Sequence, residues 1–297
     1  LIDQAIWRTA FRRGKCTMRK LIWTIAILGL LAVRSAGADV LVLVHGYLGS
    51  AQSWAESGAL DRLQRRGYRQ VGIYGYGPQG VLYQGLGKPA QQPLYTVNLP
   101  SQAPVMIQAD WLAAILREIR KRHPDEAINL AAHSAGGVVA RMTLVRHGKL
   151  GVVHLITIAT PHFGTGRAIQ ALDATDDSGL FGFAKEFFVR RATGHALYST
   201  LQQSRGVLID LMPPAPGNFL FWLNRQPHPD ITYTSIMRIG TFYMPGDQVV
   251  PPLSQDLNRT PALLGRVKTY SMANGHLLTP QDGDLIGNLL AQKKPEK

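Results

Sequence analysis

The feature of this 297-residue chain that most directly suggests chemistry is a serine, Ser134, held between small residues. Residues 127–131 form an apolar run of strand length before it, and residues 138–145 place apolar side chains at helical spacing after it. A serine at a sharp turn from strand to helix presents its hydroxyl for nucleophilic attack, and the flanking positions, here Ala132 and Gly136, must be small. We predict that Ser134 is a nucleophile. The alternative is an ordinary helix start capped by its hydroxyl.

The candidate base is a histidine near the C-terminus. A serine hydroxyl is a weak nucleophile at neutral pH unless a base accepts its proton. His276 directly follows an apolar run over 266–272 that predicts a strand, from which its Nε2 can reach Ser134 Oγ. An isolated loop histidine is more often a surface residue. If His276 is the base, activity falls when its ring is protonated.

The candidate acid is Asp247, in a Gly-Asp turn after a predicted strand over 235–243. A carboxylate there can hold Nδ1–H of the base and stabilise the imidazolium. His276 is the only histidine that follows Asp247 in the chain, which favours this pairing. A plain turn aspartate is the structural alternative, and Asp230 and Asp256 are the other candidates for the acid.

Two backbone N–H groups are candidates for binding a negatively charged oxygen. The apolar run 40–44 predicts a buried parallel strand, and it leads directly into a turn that contains Gly46. We predict that the N–H of Tyr47 in this turn and the N–H of Ala135, after the nucleophile, form an oxyanion hole. Losing one such donor typically costs about 2.7–4 kcal/mol. His45 is expected to brace the turn.

Two further histidines lie next to these motifs and are expected to have other roles. His133 is predicted to point into the packing between sheet and helix, whereas His162 and Phe163 are predicted to shape a wall of the substrate pocket. Neither zinc-ligand spacing nor a glycine-rich phosphate loop is found, so no cofactor and no metal ion are expected. A structural calcium at Asp282 and Asp284 is a remaining alternative.

The elements that position these residues alternate between strand and helix. Strands are predicted over 40–44, 70–74, 127–131, 152–159, 235–243 and 266–272, and helices over 52–66, 101–122, 138–145 and 279–291. This order predicts an α/β fold with a mostly parallel central sheet and helices on both faces. Residues 77–100 are predicted to be a long loop. Residues 163–235, rich in large apolar side chains, are predicted to be a helical cap or lid, with a subdomain packed on the main core as the alternative.

Residues 1–38 have the pattern of a secretory signal peptide. Met18 opens a basic segment, residues 21–33 are uncharged and apolar, and an Ala-x-Ala site ends at Ala38. We expect translation from Met18, cleavage after Ala38, and a secreted or periplasmic mature domain over 39–297. The run is shorter than the roughly 20 residues that span a bilayer. An uncleaved anchor is the alternative.

The chain has a net positive charge, with or without residues 1–38. Residues 1–38 hold seven of the 32 Lys and Arg and one of the 19 Asp and Glu, so the formal net charge falls from +13 to +7 without them. Part of the excess lies on one predicted helix, at Arg117, Arg120, Lys121 and Arg122. This face is a candidate for contact with an anionic membrane surface, and a solvated helix face is the alternative. No nucleic-acid motif is found, so no nucleic-acid partner is expected.

Taken in order, these motifs resemble those of the bacterial lipases and related secreted esterases of the α/β-hydrolase superfamily. The matching segments are residues 45–49, 132–137, 160–164, 246–251 and 274–277. The resemblance extends over residues 40–292 and implies an α/β-hydrolase fold, a Ser-His-Asp triad, a lid over an acyl groove and an acyl-ester or lipid substrate. Ala132 replaces the usual first glycine. An acyltransferase or thioesterase on the same triad and a catalytically silent lipid-binding module remain alternatives.

Overall fold

The structure is a computed structural model that describes residues 39–173, 194–243 and 245–292. The predicted signal segment lies outside these ranges, so its cleavage stays a prediction. Within the described ranges, no helix has both the length and the apolar character that crossing a membrane requires.

Within the described residues, eight strands form one sheet. They are β1 (Val40–Val44), β2 (Arg69–Gly77), β3 (Gly80–Gly85), β4 (Pro93–Val97), β5 (Ile128–His133), β6 (Val152–Ile158), β7 (Thr232–Arg238) and β8 (Val267–Met272). Their spatial order is β3-β2-β4-β1-β5-β6-β7-β8, and every neighbouring pair is parallel except β2 and β3. The mostly parallel central sheet is therefore confirmed.

Helices connect the strands. They are α1 (Ser53–Glu56), α2 (Ala59–Arg65), α3 (Val105–Arg122), α4 (Ala135–His147), α5 (Gly166–Asp173), α6 (Gly194–Gln203), α7 (Arg205–Asp210), α8 (Phe219–Leu223), α9 (Pro252–Gln255) and α10 (Pro280–Ala291). Two short 3₁₀ helices, Leu257–Arg259 and Pro261–Leu263, follow α9.

The central strand β1 explains how the two layers of helices are held. All five of its side chains are 0% exposed. Val40, Val42 and Val44 belong to the apolar cluster that includes α3 and α4, whereas Leu41 and Leu43 belong to the cluster that includes α1, α2 and α10. Successive side chains of a strand point to opposite faces, so a strand covered on both faces must be apolar at every position. Helices on both faces are confirmed.

The predicted loop over 77–100 is wrong, because it contains β3 and β4. The side chains of β4 are all buried, but the segment is only five residues long and lies among Pro, Gln and Gly. The strand β3 lies at the edge of the sheet, and its residues 82–85 are exposed. Strands are predicted from sequence by the alternation of apolar and polar residues. An exposed edge strand does not need this alternation, so the sequence does not indicate it.

The predicted strand over 235–243 is displaced in the structure. The strand β7 runs from Thr232 to Arg238, and the chain beyond it leaves the sheet. Phe242 and Tyr243 are 95% and 89% exposed. These large apolar residues therefore lie on a surface loop, although their type suggested a buried strand.

The described part of the insert over 163–235 contains the helices α5 to α8, which are joined by turns and loops, and its last residues, 232–235, begin β7. Its most apolar segment, α8, buries Leu220 and Leu223 in the core cluster that also contains α3 and α4. This segment therefore packs on the main core, as the subdomain alternative expects. The other aromatic segments, 180–183 and 187–188, lie outside the described residues.

The basic residues of α3 are largely engaged within the fold. Arg120 Nη1 donates to the carbonyls of His123, Pro124 and Glu126 at 3.1, 2.8 and 3.0 Å. Lys121 pairs with Glu118, and the Arg122 guanidinium lies 4.0 Å from the centroid of the Tyr83 ring. Contact of this face with a membrane surface stays a prediction.

Candidate active site

Ser134 occupies the turn between β5 and α4 in a backbone conformation that few residues adopt. Its φ is +52° and its ψ is −130°, which is costly for a residue with a Cβ. Its N–H donates to the carbonyl of Ile158 at 2.8 Å, which ties the turn to the end of β6. The residue is 8% exposed and its side chain lines a cavity. The strained turn therefore presents the hydroxyl at the edge of the sheet.

The two glycines that follow Ala135 have no room for a Cβ, because a backbone carbonyl approaches one and a side chain approaches the other. A Cβ on Gly136 would lie 2.2 Å from the carbonyl oxygen of His45, and one on Gly137 would lie 2.1 Å from Thr160 Oγ1. These separations are far inside van der Waals contact. Ala132, by contrast, lies within β5 and is buried without such a conflict at its Cβ. The second small position of the motif is thus set by packing against the loop after β1.

The structure brings Ser134, His276 and Asp247 together. His276 Nε2 lies 2.9 Å from Ser134 Oγ, and His276 Nδ1 lies 2.8 Å from Asp247 Oδ2. An ionised carboxylate only accepts hydrogen bonds, so Nδ1 carries the proton and Nε2 is left to accept from the serine hydroxyl. The three sequence-predicted residues therefore have the geometry of a nucleophile, a base and an acid.

The carboxylate of Asp247 is fully buried and well supplied with donors. Its Oδ1 accepts from the N–H groups of Val249 and Val250 at 2.7 and 2.8 Å. Burial alone raises the pKa of Asp247, but the hydrogen bond and charge of His276 and the backbone donors outweigh it, so the pKa lies below its ordinary value. Asp247 is therefore ionised at neutral pH.

The two other aspartates considered from sequence lie elsewhere. Asp230 pairs with Arg266 at 2.8 Å on the surface. Asp256 accepts from Asn258 N at 2.9 Å and caps a 3₁₀ helix. Each carboxylate has a local structural partner away from His276.

The predicted oxyanion donors lie on the two segments that meet at the serine. Ala135 is the first residue of α4, so its N–H has no carbonyl within the helix to bond. Tyr47 follows Gly46, where an added Cβ would lie 2.8 Å from Ser134 Cβ. Both Tyr47 and Ser134 line the same cavity. If Ser134 Oγ adds to a carbonyl carbon, the carbonyl oxygen that becomes negatively charged would therefore lie beside both segments.

His45 braces this loop, as predicted. Its Nδ1–H donates to the Gly46 carbonyl at 2.9 Å, and its Nε2 accepts from Leu99 N at 3.0 Å. Burial lowers its pKa, which keeps the ring neutral and leaves one nitrogen as an acceptor.

The cavity at Ser134 has a volume of about 890 Å³. Its wall combines the loop after β1, the helical insert and the loops after β7 and β8. Representative residues are Tyr47, Leu48, Thr165, Ala168, Leu208, Leu211, Val250 and Leu278. Most of these side chains are apolar, so the space next to the hydroxyl suits a hydrocarbon group.

A model of the alpha/beta hydrolase family matches residues 41–284, the greater part of the chain. The chain belongs to this family. The resemblance drawn from the ordered motifs is thereby confirmed, as is the α/β-hydrolase fold. No curated protein matches the chain in sequence.

Solved structures with the same fold include proteins of several activities. The mature form of the Bacillus licheniformis lipase BlEst2 superimposes with a TM-score of 0.56 at 17% identity, covering 87% of this chain and 92% of that one. A gene product of Listeria innocua gives 0.57 at 17% identity, covering 87% and 96%. The RedJ thioesterase of Streptomyces coelicolor gives 0.52 at 17% identity, covering 88% and 92%. At these identities the likeness concerns the fold.

In this α/β hydrolase, the predicted pocket residues His162 and Phe163 do not line the described cavity. The neighbouring Pro161 and Thr165 do so instead. His162 is 0% exposed and turns towards the interior. His162 contacts Arg141 and Thr157 instead, and the Phe163 ring lies 5.0 Å from the Arg259 guanidinium, so the described contacts do not support the predicted pocket wall at this pair.

His162 belongs to a second polar cluster, built around Arg141 of α4. Arg141 is 0% exposed and donates to Asn224 Oδ1 at 2.9 Å, to His228 Nε2 at 3.2 Å and to His162 Nδ1 at 3.3 Å. Among the described residues no carboxylate pairs with it. Burial lowers the pKa of Arg141 to about 9, so the side chain is still charged at neutral pH.

The two histidines of this cluster are neutral acceptors. Burial, followed by the charge of Arg141, lowers the pKa of His228 to about 3 and that of His162 well below its ordinary value. His228 Nδ1–H donates to the Gln226 carbonyl at 2.8 Å, and His162 Nε2–H donates to Thr157 Oγ1 at 3.1 Å. Each ring therefore presents its unprotonated nitrogen to the guanidinium.

His133, predicted to be structural, lies at the site of this hydrolase. It lines the cavity, and its Nε2–H donates to the carbonyl of His276 at 2.9 Å. Burial, with repulsion from His276, lowers the pKa of His133 to about 3, so the ring is a neutral donor that holds the loop of the base. The strand-to-helix motif gives no signal for this contact, because the partner is 143 positions away.

The aspartates considered for calcium have other partners. Asp282 and Arg238 form an ion pair at 2.6 Å with both side chains 0% exposed. Asp284 pairs with Arg62 and Arg66 at 3.7 and 3.4 Å. Arginine therefore pairs with each carboxylate, and the described residues hold no group of three or more carboxylate, histidine or cysteine side chains that could bind a metal ion.

Proposed function

We propose that this α/β hydrolase is a serine carboxylic-ester hydrolase that acts on acyl esters through an acyl-enzyme intermediate. The observation that carries the proposal is the position of His276, whose two ring nitrogens contact Ser134 Oγ and Asp247 Oδ2 at 2.9 and 2.8 Å. The serine also faces a mostly apolar cavity. A base-activated hydroxyl beside a hydrocarbon-binding space fits the hydrolysis of esters with apolar acyl groups.

Acylation would begin with attack of Ser134 Oγ on the ester carbonyl carbon, as His276 Nε2 takes the hydroxyl proton. The carbonyl oxygen becomes negative and accepts hydrogen bonds from the N–H groups of Tyr47 and Ala135. Asp247 remains ionised and stabilises the imidazolium, which its lowered pKa favours. His276 then donates the proton to the leaving alkoxide, and the alcohol departs.

Deacylation would repeat these steps with water. His276 takes a proton from water, the hydroxide oxygen attacks the acyl carbon, and the proton returns to Ser134 Oγ as the carboxylic acid forms. The alternatives kept from the sequence differ in this half-reaction or in the leaving group: an acyltransferase uses another acceptor, and a thioesterase releases a thiol.

The helical insert supplies the evidence on the acyl group. Ala168 and Ala171 of α5 and Leu208 of α7 line the cavity over Ser134. Small side chains on α5 leave room, and the leucine provides apolar surface. We propose that this described part of the insert is one wall of an acyl pocket, while α8 anchors the insert to the core.

Covalent labelling tests the nucleophile. A fluorophosphonate probe should react with the purified chain from residue 39 onward, and Ser134→Ala should remove the label. The same protein should hydrolyse a nitrophenyl acyl ester. Labelling of another serine, or a folded wild type that neither reacts nor turns over, would refute the proposal and favour the silent lipid-binding module.

A chain-length series tests the acyl pocket. Each added CH₂ buried in an apolar pocket contributes at most about 0.8 kcal/mol, so kcat/KM should rise from acetate to octanoate esters, by about sixtyfold if each added CH₂ contributes roughly half of that. The series must be measured below the micellar limit. A steady decline along the series would indicate a short-chain esterase.

We also propose that the enzyme is exported, with cleavage after Ala38. The support is the sequence pattern of residues 18–38. N-terminal sequencing of the exported protein should begin at Asp39. A product that retains residues 21–33 would instead indicate an anchored protein.

A further inference from the structure

Gln255 is a buried amide that touches the acid of the proposed triad. It ends α9 and is 1% exposed. Its Nε2 donates to Asp247 Oδ2 at 3.0 Å and to the Val250 carbonyl at 2.7 Å, while its Oε1 accepts from Arg238 N at 2.8 Å. A backbone N–H only donates and a carbonyl only accepts, so these partners fix the orientation of the amide. A donor therefore always faces the carboxylate.

The contact divides the donors of Asp247 between its two oxygens. Oδ1 is held by two backbone N–H groups, of Val249 and Val250. Oδ2 accepts from His276 Nδ1 at 2.8 Å and from Gln255 Nε2 at 3.0 Å. Among the described residues, Gln255 is the one side chain besides His276 that holds Oδ2. Without it, the oxygen that faces the base would be held by the base alone.

We infer that Gln255 is a positioning residue: it keeps Asp247 Oδ2 aligned with His276 Nδ1 while the ring gains and loses its proton. This inference rests on the proposed function. The bond between Asp247 and His276 must stabilise an imidazolium that exists only briefly. The backbone donors hold Oδ1, and Gln255 restricts the remaining displacement of Oδ2 away from the ring. Small misplacements of such a group reduce the rate far more than they reduce substrate binding.

The third contact of Gln255 extends the same support to the base. Gln255 Oε1 accepts from the backbone N–H of Arg238, the last residue of β7. The side chain of Arg238 forms an ion pair with Asp282. The guanidinium also lies 3.5 Å from the carbonyl of Leu277, next to His276. Gln255 thus links the carboxylate to the residue that contacts the loop of the base, so acid and base are positioned from one strand end.

The first test removes the amide without changing the size of the side chain much. Gln255→Leu is expected to lower kcat about 10- to 100-fold with little change in KM, because the substrate cavity is untouched. The matched control is Gln108→Leu. Gln108 is also a buried glutamine, 4% exposed, whose Nε2 donates to the Ala103 carbonyl at 2.6 Å. The control should lose thermal stability but keep kcat.

The second test uses a charged isostere and does not depend on how well the leucine variant folds. In Gln255→Glu, a protonated carboxyl can still donate to Asp247, so activity is retained at low pH relative to the leucine variant. When that proton is lost, two carboxylates about 3 Å apart repel each other. The kcat/KM profile should therefore fall with rising pH in a range where the wild type is flat.

The outcomes separate the inference from the proposed function. If wild type is not labelled at Ser134, the proposed function fails and the triad with it. If wild type is labelled and active, but Gln255→Leu keeps its kcat or Gln255→Glu keeps the wild-type pH profile, the positioning role is overturned. If Gln255 only stabilised the fold, both variants would have a lower melting temperature, but the kcat/KM profile of Gln255→Glu would show no additional dependence on pH.

Discussion

Two groups of residues in this fold hold histidine side chains, and their chemistry is opposite. In one, His276 is held by the carboxylate of Asp247 and opens onto a cavity beside Ser134. In the other, His162 and His228 contact the guanidinium of Arg141 and are buried. A carboxylate stabilises a protonated ring, whereas a guanidinium opposes it. The partner of a histidine, more than its place in the chain, decides whether it can act as a base.

Removing the imidazole from each cluster should give the largest contrast. His276→Ala is expected to lower kcat by about 10⁶-fold, since the serine loses its proton acceptor. His162→Gln keeps an acceptor for Arg141 and should leave kcat within a few-fold of wild type. Steady-state kinetics with a nitrophenyl ester measures both. If His162→Gln folded normally but lost its activity, the conclusion that only His276 acts as a base would be wrong.

Neutralising the carboxylate should have the next largest effect. Asp247→Asn is expected to lower kcat by about 10⁴-fold, because the amide cannot stabilise the imidazolium and can hold the wrong tautomer. The unfolding transition should change little. A variant with a near-native rate would transfer the role of the acid to Asp230 or Asp256, against the distances seen here.

Removing the guanidinium should affect stability instead of rate. Arg141→Met is expected to lower the free energy of unfolding by about 1–3 kcal/mol, because buried acceptors of His162, His228 and Asn224 lose their donor. Relief of a buried cation offsets part of this cost. Denaturant unfolding gives the stability, and kcat should stay near wild type. Unchanged stability would show that the cluster contributes nothing net.

The smallest expected effect is a change in how stability depends on pH. The pKa of His228 is lowered to about 3 in the folded chain from an ordinary value of 6.5, so the unfolded chain binds more protons between these values. Its contribution to stability is complete above pH 6.5 and declines as the pH falls towards 3.

A substitution isolates this term from the other acids and bases. His228→Gln keeps an acceptor for Arg141 but does not titrate, so unfolding free energies measured from pH 7 to pH 4 should decline less steeply than those of wild type. Parallel curves for the two proteins would mean that His228 does not link protons to folding.

Much of the fold and the core of the site could be predicted from sequence, because local rules determine them. The β1 run is apolar at every position since both faces are covered. Gly136 and Gly137 must be glycine because the His45 carbonyl and the Thr160 side chain occupy the space that a Cβ would need. Chain order then singled out Asp247 and His276, which the structure places within hydrogen-bond distance of each other.

The remainder depended on contacts between distant segments. His133 bonds to the carbonyl of His276, and Gln255 bonds to Asp247 from a short helix with no motif of its own. Nothing local distinguishes His162, which faces Arg141, from a histidine that lines a pocket. The edge strand β3 was missed because exposed side chains carry no burial pattern. These features are set by tertiary partners, which a single sequence does not reveal.

The absence of a Cβ at Gly136 affects which parts of the site can accept substitutions. Because the carbonyl of His45 occupies that space, the nucleophile turn and the loop after β1 form one unit assembled through the backbone. The part of the cavity wall that the insert contributes consists instead of side chains, including those of α5 and α7. Substitutions on those helices can alter which molecules fit while the reacting groups stay in place. New specificities are therefore most accessible by varying the insert, and libraries directed at the turn should yield mostly inactive proteins.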